Sequence, residues 1–162
     1  MTPLGFVGRM ARAGFRFQTM ARRNIDAETA DGPAATLARF RQVQNRSSGP
    51  PGPVDSWLGE TFVHAEDIRR PLGIAHAYPV DALSRVAGFY RGSNLLIGGK
   101  DRVAGLTLHA TDTDWTVGSG PQVAGPMLAL VLATTGRVAA LDELTGEGVA
   151  TLRERIGAGV GP

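Results

Sequence analysis

The 162-residue sequence contains no cysteine. That excludes disulfides, zinc–thiolate clusters and a cysteine nucleophile, so a metal site must be built from imidazole and carboxylates, and redox chemistry needs a thiol from elsewhere. Lysine is nearly absent too: Lys100 is the one lysine among 17 basic residues. Guanidinium groups stay protonated, so a formal charge of only +2 coexists with a pI near 9.7, and the high pI argues little for nucleic acid. No apolar run approaches the roughly 18 residues of a membrane span. Arg9, Arg12 and Arg16 break up the apolar stretches of the first twenty residues, unlike a signal peptide. The expected location is the cytoplasm, with no membrane partner. What is present, 43% hydrophobic and 20% charged residues, suits a folded chain of one ordinary domain or two small ones sharing a core.

Helical periodicity dominates the first hundred residues. Phe6, Met10, Ala13, Phe17 and Met20 recur at steps of four and three, which predicts one core-facing helix from residue 3 to about 24, flanked by a row of Arg9, Arg12, Arg16 and Arg23 read as solvated, with phosphate or acidic-lipid binding as the alternative. Pro33 opens a second helix to about Gln44, with Leu37, Phe40 and Val43 at helical spacing. The three prolines and two glycines between Asn45 and Pro53 predict a loop. Asp55 or Ser56 can cap a third helix, residues 56–70, stopped by Pro71 and Gly73. A fourth runs from Val80 to about Leu96, with Leu83, Val86, Phe89 and Tyr90 on its apolar side.

Past Gly98-Gly99 the period changes. Residues 103–110 alternate as a strand, 115–118 and 122–125 are short strands about a Gly-Ser-Gly-Pro turn read as a hairpin, and helices follow at 127–136 and 148–156. Asp112 and Asp114 suit strand-end capping of backbone N–H groups. The expected fold is α+β: an N-terminal helical bundle over 1–98 packed on a small α+β unit over 99–162.

The third helix carries the chemistry. At 100° per residue Glu60, His64 and Asp67 fall within about 60° of one another, while Leu58, Phe62 and Ala65 point elsewhere. A carboxylate and an imidazole one turn apart can bind one metal ion, yet two ligands hold zinc weakly. The same strip can instead pair with Arg69, Arg70 or other arginines on a solvated face. The remaining imidazoles, His76 and His109, fall in a loop and on a strand.

The segment Glu60-Thr-Phe-Val-His-Ala-Glu-Asp-Ile-Arg-Arg-Pro-Leu-Gly73 resembles the corresponding helix of the mycothiol-dependent maleylpyruvate isomerase family, within the DinB-like bundle superfamily. Ala110-Thr-Asp-Thr-Asp-Trp115, Gly125-Pro126 and Leu141-Asp-Glu-Leu-Thr-Gly146 are similar to the C-terminal part of the same proteins. The resemblance implies a four-helix bundle holding a divalent metal, usually zinc, through an E-x-x-x-H pair, here Glu60 and His64, and a His from an earlier helix. Asp67 would orient His64 or pair with Arg70. No His precedes His64, so the resemblance implies a bundle lacking its first helix or helices and a site lacking a ligand.

With mycothiol as the missing thiol, the family's chemistry would be isomerisation or thiol transfer on a small-molecule substrate. The alternative is a non-catalytic binding or scaffold protein with a vestigial metal site. No catalytic residue is assigned. A nucleic-acid partner is not expected, because the arginine row is read as lacking interleaved exposed aromatics and the net charge is small. An uncovered apolar bundle face, with Phe6, Met10, Phe17, Met20, Leu58 and Phe62, predicts self-association.

Overall fold

The computed structural model describes residues 3–45, 52–94 and 97–158. The chain divides into two compact units, Met1–Gly52 and Pro53–Pro162. The first holds α1 (Pro3–Arg12), α2 (Phe17–Thr29) and α3 (Pro33–Val43). One helix was expected where α1 and α2 stand. The difference lies at Gly14 and Phe15, both left-handed at φ 62° and 58°, where the Phe15 N–H turns back to Met10 O at 2.8 Å and closes α1. Ala13 and Met20 are buried and Phe6 and Met10 half-buried, but Phe17 is exposed. In α3, Leu37 and Phe40 are likewise exposed despite their helical spacing. The proline- and glycine-rich stretch after it lies mostly outside the described residues.

The second unit is α+β. It comprises α4 (Val54–Arg69), α5 (Val80–Gly92), α6 (Gly99–Arg102), β1 (Thr107–Ala110), β2 (Thr116–Gly118), β3 (Gln122–Gly125), α7 (Met127–Thr134), a 3-10 turn (Val138–Glu143) and α8 (Gly148–Ala158). The expected boundary near residue 98 is therefore not where the compact units divide: α4 and α5 group with the sheet, because α5 packs on both α4 and α7. The helix predicted to reach Leu96 ends at Gly92, with Ser93 extended and residues 95 and 96 outside the described set. Neither Asp55 nor Ser56 caps α4, which starts one residue after Pro53 without a side-chain cap. Ser56 is buried, and Asp55 lies 2.6 Å from Arg85 Nε on α5.

Helix α7, Met-Leu-Ala-Leu-Val-Leu-Ala-Thr, is apolar all round and buried nearly so, as a central helix must be. It meets α5, the 3-10 turn, β1 and β3. Around it Phe62, Val63, Leu83, Val86, Leu108, Val123, Leu152 and Ile156 complete one core. The carboxylate of Asp112 receives the Met127 N–H at 2.9 Å and so caps α7 from the strand end. Among the described residues no helix is long and apolar enough to cross a membrane.

The sheet has the order β2-β1-β3, with β2 antiparallel and β3 parallel to the central β1. The Gly-Ser-Gly-Pro segment is thus not a hairpin turn between its two flanking strands. It crosses the start of β1 to join opposite edges. The crossing runs so close to the backbone that a Cβ on Gly118 would fall 2.1 Å from Leu106 O and one on Gly120 2.2 Å from Gly105 O, with both φ values positive.

Candidate functional site

Helix α4 turns two faces to its surroundings. Ser56, Gly59, Phe62, Val63 and Glu66 are buried, and Glu60, His64 and Asp67 form the expected polar strip on an exposed side. His64 Nε2 lies 3.0 Å from Glu60 Oε2, and His64 Nδ1 lies 3.0 Å from Asp67 Oδ2. A neutral imidazole carries one N–H, so both contacts are hydrogen bonds only when both ring nitrogens are protonated.

Asp67 is held further by Arg137 from the turn after α7. Nε donates to Oδ1 at 3.1 Å and a terminal nitrogen to Oδ2 at 2.8 Å, a two-pronged clamp. Asp67 was expected to orient His64 or to pair with Arg70. It contacts His64, but its arginine is Arg137. The hydrogen bond from Arg137 is the main cause holding the Asp67 carboxyl below its ordinary range; partial burial opposes it, and His64 adds to it. Sequence spacing gave no sign of Arg137, which stands 70 positions away.

Arg70 instead donates to Glu66 at 3.1 Å and reaches Glu143 in the 3-10 turn. Glu66 is 5% exposed and also accepts from the Tyr78 hydroxyl at 2.8 Å. Burial first, then the hydrogen bond to Glu66 and its charge, raises the Tyr78 phenol, against Arg69. Arg69 donates to the Tyr78 oxygen at 2.5 Å. Glu66 did have a signal in the sequence: it continues the inward spacing of Ser56, Gly59 and Val63. A cleft of about 160 Å³ opens beside these groups, lined by Glu66, Asp67, Arg70, Leu132, Arg137 and Ala140.

Behind the strip lies Tyr90 of α5, 1% exposed, whose hydroxyl has no hydrogen-bond partner among the described residues. Burial, with the nearby Glu60 charge and against Arg137, pushes its phenol up to about 12. A Cβ on Gly59 would stand 2.2 Å from this hydroxyl, so the glycine makes room for the ring.

Glu60 stands at Nε2 of His64 and Asp67 at Nδ1, so the expected ligand pair lies together on one side of the ring while Asp67 engages the other nitrogen. His76 stacks edge-on against Tyr78 at 4.6 Å between ring centres, and His109 on β1 bonds the Thr116 hydroxyl at 2.8 Å. Among the described residues no group of three or more His, Asp or Glu side chains is placed to hold a metal ion. No protein-family model, curated protein or solved structure matches the chain.

Proposed function

We propose that this chain is a binding protein of the DinB-like, maleylpyruvate isomerase-like kind in which Glu60 and His64 are the remnant of a metal site. One observation carries the reading: each ring nitrogen of His64 is engaged by a carboxylate at 3.0 Å, and Arg137 anchors one of those carboxylates. The pair is thereby tied into the protein's own charge network. The adjoining cleft, with two guanidinium groups and two carboxylates, suits a small polar molecule carrying both donors and acceptors.

The enzyme reading, a metal- and mycothiol-dependent isomerase or thiol transferase, draws support from the family resemblance of residues 60–73 and from the exposure of His64, whose side chain is 62% accessible. It requires a third ligand beyond Glu60 and His64. Zinc retention separates the two. The full chain loaded with zinc and dialysed is expected to keep far less than one equivalent, unchanged in Glu60→Ala and His64→Ala. Stoichiometric zinc that survives dialysis and disappears in either variant overturns the binding-protein reading in favour of the enzyme.

A further inference from the structure

The first unit carries an unpartnered feature of different chemistry. Between α1 and α2 the chain presents Phe15, Arg16 and Phe17 at a helical tip. Phe15 is 71% and Phe17 60% exposed. Phe15 is also the one non-glycine with a positive φ among the described residues, at 58°. Such a conformation is unfavourable for a bulky side chain and is paid here with the ring in solvent.

The charge around the tip has one sign. Residues 3–25 contain Arg9, Arg12, Arg16, Arg22 and Arg23 and no aspartate or glutamate. None of the five makes an ion pair among the described residues: Arg9 bonds the Asn24 amide oxygen at 3.2 Å, and Arg23 bonds Arg12 O at 2.9 Å, which sets its guanidinium at the tip end of α1. On α1 itself Leu4 and Val7 are 86% and 55% exposed. Exposed rings beside arginines that make no ion pair match the two layers of a membrane interface, acyl chains below anionic headgroups.

We propose that the α1–α2 tip docks on an anionic lipid bilayer, Phe15 and Phe17 entering the interface while Arg12, Arg16 and Arg23 meet the headgroups. This does not depend on the reading of helix α4. A second copy of the same face would bring five like charges against five. Duplex nucleic acid would meet the arginines but offers Phe15 and Phe17 no hydrocarbon layer to enter.

The test is co-sedimentation of the full chain with phosphatidylcholine vesicles, with and without phosphatidylserine, at low and high salt. Binding is expected only with phosphatidylserine and should weaken as salt rises. Arg12→Gln and Arg16→Gln should each weaken it on the order of fivefold, and Phe15→Gly with Phe17→Ser by about tenfold or more. Phe15→Gly suits the left-handed backbone, so an unchanged or raised melting temperature in that variant keeps loss of binding distinct from loss of fold. Equal sedimentation with neutral vesicles, no sedimentation, or binding indifferent to these variants overturns the proposal. So does binding to duplex DNA without binding to vesicles, or a concentration-dependent oligomer that the same variants disperse while vesicles go unbound.

Discussion

Arg137, just beyond α7, grips both oxygens of Asp67 on α4, at 3.1 and 2.8 Å, and thereby ties the exposed face of α4 to the end of the core helix. The same carboxylate holds His64, so the orientation of the imidazole depends on a residue from a distant part of the sequence.

Asp67 should make this clamp pH-dependent. Its folded-state pKa is lowered, by Arg137 above all, so the stability it adds is present above the ordinary carboxylate pKa and lost as pH falls through the lowered one. Both side chains are about one-third exposed, which limits the contribution to about 1 kcal/mol or less. Asp67→Asn should therefore flatten the acid limb of a stability–pH curve with little loss at low pH. Arg137→Lys should not restore the wild-type curve, because an ammonium lacks the two-pronged geometry. Urea titrations across the acid range check both.

Tyr90 makes the opposite prediction at high pH. Between the ordinary phenol value of 10 and the raised value of about 12 the unfolded chain gives up a proton that the folded chain keeps. The stabilisation is complete below pH 10 and is lost as pH rises through that window. Tyr90→Phe should remove part of this alkaline slope. Near neutrality it should be neutral or stabilising, since a buried hydroxyl without a partner costs about 1–3 kcal/mol.

Gly59→Ala is expected to be severe, because the added methyl meets the Tyr90 hydroxyl and ring carbons at 2.2 to 2.8 Å. A loss of about 1–3 kcal/mol from overpacking is anticipated. Combining it with Tyr90→Phe should recover only part, since two of the three clashing atoms belong to the ring. A double-mutant cycle by thermal melting measures the coupling.

Glu66 is the buried acidic side chain among the described residues. Glu66→Ala leaves Tyr78 without its acceptor and Arg70 with Glu143 as its remaining carboxylate partner, an expected loss of about 3 kcal/mol. Glu66→Gln keeps an oxygen for the Tyr78 hydroxyl and should lose less. Equal melting temperatures for the two variants would contradict a role for that acceptor.

Local chemistry alone was enough to place much of this protein. Periodicity located α3, α4, most of α5, and α8; alternation located β2, β3 and the second half of the strand expected over 103–110, whose first residues form a turn after α6; and the one-turn spacing of Glu60, His64 and Asp67 set them on one strip of α4. These are properties of a few consecutive residues, fixed by helix and strand geometry. Tertiary structure decided the rest. A stripe of apolar residues cannot reveal that the backbone turns left-handed at Phe15, so one expected helix became α1 and α2. Nor does a glycine-rich turn say which edge of a sheet the next strand joins. The choice of β2-β1-β3 rests on a crossing tight enough to require Gly118 and Gly120. The site divides the same way: which side chains share a face of α4 follows from its own period, but the arginine that closes on Asp67 arrives from 70 residues away, through the packing of α5 and α7, which no local pattern encodes.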